Sequence, residues 1–183
     1  LPLRPMLPAP LPDSVPSHST GLTQRRTFFF DLVEPCTPAT LPGPFAFILH
    51  AEALTAWLNA LADDLALAPD FEITYVFMDD AGILEINREH LQHDYYTDII
   101  TFDHTNDSTP CPLSDIFISL ERVLDNATTL NLPPDEELRR VMIHGLLHLA
   151  GEEDATDEQE ARMRAREDDL LHRFPFPPHE TQA

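Results

Sequence analysis

The chain has 183 residues and is 43% apolar, which is enough for one cored domain without disulfides or oligomerisation. Acids outnumber bases 32 to 11, the formal net charge is −21, and every base is an arginine. Such an excess works against nucleic-acid binding through a broad basic face; it fits either a salty cytoplasm, where screening shortens the repulsion to a few ångströms, or a surface made for a basic partner.

Residues 1–24 are rich in Pro, Ser and Thr, have no apolar period, and read as a disordered tail. Prolines at 2, 5, 8, 10, 12 and 16 break the apolar residues there, so no continuous signal-peptide core is expected. No apolar run reaches the roughly 18 residues of a membrane span. Cys36 and Cys111, the only cysteines, form no CxxC pair and no disulfide framework, which fits a reducing, cytoplasmic setting.

Residues 25–173 read as one folded domain, with Phe174 to Ala183 as a loose, proline-containing tail. A short β-rich run spans Thr27 to Val33. A helix over Ala51 to Leu67 carries Leu54, Trp57, Leu58, Leu61 and Leu65 on one stripe. Phe71 to Met78 alternates as a strand, with Phe71, Ile73, Tyr75 and Phe77 on one face. Asp79 or Asp80 caps a helix over Gly82 to Leu91. Strands follow at Asp98–Phe102 and Asp115–Ser119, and the second leads directly into a helix from Leu120 to about Leu130. Pro133, Pro134 and the acids after them start a helix that runs to Ala150 and stops at Gly151. Thr156 or Asp157 starts a last, charged helix to about His172. The expected fold is α/β: a small mixed sheet of about four strands, helices packed on it, and the Pro134–Ala150 helix central.

That central helix carries His144 and His148, four apart on a segment apolar nearly all round. The spacing stacks both imidazoles on one face, within reach of one ion. Two core histidines hydrogen-bonded to backbone or carboxylates is the plainer alternative, because a buried ring left unpaired costs on the order of 1–3 kcal/mol. Gly151 then turns the chain, and Asp154 lies six residues after His148. This layout is similar to the extended zinc motif whose third ligand follows a glycine turn. Glu152 and Glu153 are the fallback ligands, and Gly145 leaves room for something to come close.

The run Met142-Ile-His-Gly-Leu-Leu-His-Leu-Ala-Gly151 resembles the H-G-x-L-H-L-x-G-Y-D-H signature of the YbeY endoribonucleases, bacterial rRNA maturation factors. Ile86-Asn-Arg-Glu89, Thr97-Asp-Ile-Ile-Thr-Phe102 and Asp115-Ile-Phe-Ile-Ser119 resemble further family blocks, in the family's order, over roughly residues 26 to 172. The resemblance implies a zinc-dependent endoribonuclease that cuts single-stranded RNA and matures the 3′ end of 16S rRNA. It implies as partners rRNA and the ribosomal small subunit or its assembly proteins, with neither DNA nor membrane. Asp154 stands where the family has a third histidine, and zinc accepts a carboxylate oxygen there. Leu91 stands where many members carry a catalytic arginine; Arg88, one turn earlier, and His93 are the stand-ins, Arg88 being equally readable as a solvated helix residue.

Asp98 reads as a turn residue or as a carboxylate that orients a metal-binding histidine. His90, His93 and His104 sit near the middle strands, where any one of them can line a cleft. The run Glu152 to Asp169, with nine acids and three arginines, reads as a solvated helix face. Arg88, Arg122, Arg139 and Arg140 are the local basic spots for RNA, although Arg139 and Arg140 also balance Asp135, Glu136 and Glu137. Two other readings stay open: a metalloprotease, disfavoured because Gly145 replaces the usual glutamate base, and an assembly factor with a structural metal.

Overall fold

A computed structural model describes residues 26–105 and 113–177. The expected 1–24 tail and Cys111 lie outside the described residues. The elements are β1 (Thr27–Leu32), a 3-10 turn (Gly43–Leu49), α1 (Ala51–Asp64), β2 (Glu72–Met78), α2 (Asp80–Leu91), β3 (Ile99–Asp103), β4 (Leu113–Ser119), α3 (Leu120–Leu130), α4 (Pro134–Leu149) and α5 (Asp157–Arg173). The four strands form one mixed sheet in the order β1-β2-β4-β3. β1, β2 and β4 are parallel, and β3 closes the edge antiparallel to β4.

Strand alternation divides the core. Ile73, Tyr75 and Phe77 of β2 and Ile116 and Ile118 of β4 share one cluster with α1 and α4 residues, among them Leu58, Met142 and Leu146. Val76 and Met78 of β2 point the other way, against Ile83 of α2 and Ile100 of β3. Both faces of the sheet are therefore covered, as parallel strands require.

Two contacts fix α4 on the sheet. The fully buried Tyr75 hydroxyl donates to the Met142 carbonyl at 3.0 Å; burial pushes the Tyr75 pKa well up, so the phenol stays a donor. Gly145 faces β3 and β4 so closely that a Cβ there would lie 2.9 Å from Ile116 Cδ1 and 3.2 Å from Ile99 Cδ1. The room expected beside Gly145 is thus filled by the sheet: the glycine lets the helix approach.

Local signals set the ends of the elements. Asp79 caps α2 by accepting from the Gly82 N–H at 2.8 Å, while Asp80 pairs with Arg122 at 2.7 Å and accepts from Ser119. Thr156 and Gln159 form a reciprocal capping box on α5. The 3-10 turn, which has no clear period, buries Phe45, Phe47 and Ile48.

The chain after Arg173 departs from expectation. The Phe174 carbonyl accepts from Trp57 Nε1 at 2.7 Å, and the Phe176 ring packs against Phe47 and Trp57 at 5.3 and 5.7 Å. Residues 174–177 belong to the packed body, because the Phe174 and Phe176 rings flanking Pro175 bury against the core; residues 178–183 lie outside the described residues. Among the described residues no single helix is long and apolar enough to cross a membrane.

Gly145→Ala is expected to lower stability by about 1–2 kcal/mol. Overpacking costs roughly 1–3 kcal/mol, and the better helix propensity of alanine returns no more than about 1. A lower urea midpoint with an unchanged m-value is the expected readout; equal midpoints would show that the approach of α4 is looser than described.

Candidate metal centre

The end of α4 is built to bring three side chains together. Gly151 takes φ +88°, and the Gly151 and Glu152 N–H groups return to the His148 and Leu147 carbonyls at 2.9 and 3.0 Å. This is the paired closure of a Schellman turn. It carries Asp154 back over the helix end, where His144, His148 and Asp154 form a group able to hold one metal ion. The two Nε2 atoms are 2.9 Å apart, and Asp154 Oδ2 lies 3.5 Å from that of His144 and 3.7 Å from that of His148.

The other nitrogen of each ring is already engaged. His144 Nδ1 donates to Glu167 Oε1 at 2.7 Å, and His148 Nδ1 donates to the Glu152 carbonyl at 3.0 Å. A carbonyl and a carboxylate can only accept, so both protons sit on Nδ1. Both Nε2 atoms then present lone pairs to one another and to the Asp154 oxygen. Three electron pairs facing one point repel unless a proton or a cation lies between them. The separations bracket the roughly 3.3–3.4 Å edge of a tetrahedron with bonds of about 2.0–2.1 Å, so the donor set fits a zinc-like ion with a fourth position free.

Burial pulls the His144 pKa down, but the Glu167 hydrogen bond and the charges of Glu167, Asp154 and Asp98 outweigh it and leave the pKa raised. Glu167 is only 5% exposed and is backed by Arg140, which sits 3.6 Å from it and also faces Glu137 at 3.4 Å. Burial, helped by Asp98 and Glu167, raises the Glu137 pKa against the pull of Arg140 and Arg164.

The trio opens into a cleft of about 890 Å³ whose walls include His93, Tyr95, Asp98, Asn126, Arg140, Arg164 and Glu167. His93 therefore reaches the cleft. Arg88 is not among its lining residues and pairs with Asp94 at 2.6 Å. Asp98 lines the cleft but accepts from Asn126 at 3.0 Å and bonds neither histidine. The Glu152 and Glu153 side chains turn to Arg166 and Gln159, leaving Asp154 as the carboxylate beside the rings. Arg122, Arg139 and Arg140, like Arg88, are each ion-paired with acids. His104 pairs with Asp115, and the His90 ring packs edge-on against Phe102.

Glu167 lies in the acidic run expected on a solvated face, yet it is buried and bonded to His144. A signal was present: Met163, Glu167 and Leu170, spaced i, i+4, i+7, are all buried on α5.

Residues 49–175 match the family model described as Endoribonuclease YbeY. The chain belongs to the YbeY endoribonuclease family. Curated relatives with that description include one from Flavobacterium psychrophilum, 48% identical over 104 residues that cover 56% of this chain and 72% of the relative. Another, from Parabacteroides distasonis, is 42% identical over 127 residues, 69% of this chain and 87% of the relative. The solution structure of TM1509 from Thermotoga maritima superposes with a TM-score of 0.52 at 21% identity, covering 86% of this chain and 99% of that one, and shares the fold.

Removing the carboxylate behind His144 is expected to weaken metal binding. In a competition titration against a chromophoric chelator, Glu167→Ala should lose about 10–100-fold in zinc affinity. An unchanged affinity would show that His144 is oriented without it.

Proposed function

We propose that the chain is a metal-dependent, single-strand-specific endoribonuclease, with zinc as its ion and His144, His148 and Asp154 as the ligands. Its substrate is rRNA, at the 3′ end of 16S rRNA during small-subunit maturation, and its place of action is the cytoplasm. The observation that carries the reading is the convergence of three lone pairs inside a cleft, in a chain of an endoribonuclease family. Two imidazoles and one carboxylate favour zinc over magnesium or calcium, which prefer all-oxygen sets.

When bound, such an ion supplies Lewis-acid chemistry: it acidifies water and draws charge from a phosphoryl oxygen. The chain's own residues do the rest. Glu167 and the Glu152 carbonyl fix both ring tautomers, so the Nε2 atoms need not reorient. Asp154 adds one negative charge, which leaves a divalent site net positive toward phosphate. His93, in the cleft wall with Nδ1 engaged by the Tyr95 hydroxyl, has Nε2 left to offer a phosphate or leaving oxygen. Arg88, five residues before His93, is proposed as the second phosphate contact, reached by exchange of its exposed pair with Asp94, since exposed pairs hold by about 1 kcal/mol or less.

Purified protein is expected to hold about one equivalent of zinc by elemental analysis, and His148→Ala to lose it. Single-stranded RNA cleavage at high salt should fall roughly a hundredfold or more in His144→Ala. Full metal retention in His148→Ala would refute the ligand set, and cleavage of casein but not RNA would point to the protease reading instead.

A further inference from the structure

The cleft wall carries a second built feature, formed by the loop after α2. Gln92 takes φ +58° to end the helix, and the Asn87 carbonyl accepts from the His93 N–H at 3.2 Å. Asn87, 2% exposed, also donates from Nδ2 to the Tyr95 carbonyl at 2.8 Å. The Tyr95 ring lies on the His93 ring, centroids 5.1 Å apart and planes 23° from parallel, and its hydroxyl meets His93 Nδ1 at 3.0 Å. Despite these ties Tyr95 is 57% exposed. An aromatic ring is thus anchored by its backbone and by His93, with much of its surface in water, on the wall of the cleft that contains His144 and His148.

The charge of the chain makes that exposure informative. At −21, with Arg122, Arg139 and Arg140 ion-paired, a phosphate backbone finds few cations besides Arg164 in the cleft wall and the exchangeable Arg88. Affinity for RNA then has to come from groups that charge does not govern, and base stacking on an aromatic face is the main one. We propose that Tyr95, backed by His93, is a stacking platform for an unpaired base flanking the phosphate cut at the trio. The proposal rests on the endoribonuclease reading and deepens it, since it names the part of the RNA that is gripped. It also gives a physical source of single-strand selectivity: in a duplex both faces of every base are covered by its neighbours, so no face is left for Tyr95.

The test uses the full chain with its metal and measures fluorescence anisotropy of labelled oligoadenylate and of a matched ribose-phosphate chain lacking bases. Wild type should bind oligoadenylate more tightly than the abasic chain. Tyr95→Ala should lose about tenfold on oligoadenylate and nothing on the abasic chain. Tyr95→Phe and Tyr95→Trp should keep the preference, which separates ring stacking from the bond to His93, and metal content should be equal in all. The preference for oligoadenylate over the abasic chain should also vary little with salt, unlike backbone-driven binding. The proposal is overturned if Tyr95→Ala binds like wild type, if it loses equally on both chains, or if wild type has no preference for bases. A Tyr95-dependent preference in a protein that cuts no RNA would instead overturn the endoribonuclease reading and leave the platform standing.

Discussion

Three lone pairs aimed at one point are the constraint around which this fold is arranged. A buried donor atom normally seeks a hydrogen, and here the hydrogens are on the far side of each ring, committed to Glu167 and to the Glu152 carbonyl. The Nε2 atoms at 2.9 Å and the Asp154 oxygen beyond them are tolerable only with a positive charge between. That is a site whose protein part is preorganised for a cation, and its orientation is set by neighbours that do not touch the cation.

Each surrounding element serves that geometry. The sheet supplies a largely apolar base; Gly145 lets α4 settle onto it, and the Tyr75 hydroxyl holds the helix by its backbone. The Schellman turn at Gly151 does two jobs with one bend, bringing Asp154 round and presenting the Glu152 carbonyl to His148. The capping box at Thr156 starts α5 at the right place for Glu167, eleven residues on, to reach His144. Arg140 and Glu137 complete a buried row of charged side chains behind Glu167, the carboxylate that orients the His144 ring.

Much of this was legible in the sequence, and the misses have physical causes. The elements with a clear period or cap were found nearly to their ends: the Leu54–Leu61 stripe, the β2 alternation, the Pro133–Gly151 helix. His144, His148 and Asp154 were legible because helical spacing and a glycine turn are local rules. The 3-10 turn at Gly43–Leu49 and the packing of Phe174 and Phe176 were not, because tertiary contacts with α1 decide them. Glu167 was hidden in a run of acids, where composition suggested solvent while spacing with Met163 and Leu170 pointed inward. Gly145 was read as space for a ligand; only the three-dimensional approach of Ile116 and Ile99 shows what the missing side chain makes room for.

The strong negative charge sets the terms on which such a site meets a polyanion: Arg122, Arg139 and Arg140 are spent on internal pairs, and the cleft offers a cation site and aromatic rings. Whether the cation site is as described is decided most directly by X-ray absorption at the zinc edge of the metal-loaded protein. The expected spectrum shows a first shell of four light atoms at about 2.0–2.2 Å with the multiple-scattering signature of two imidazoles. A shell of oxygens alone, or of one imidazole, would mean that His144 and His148 do not share an ion, and the central geometry would be wrong.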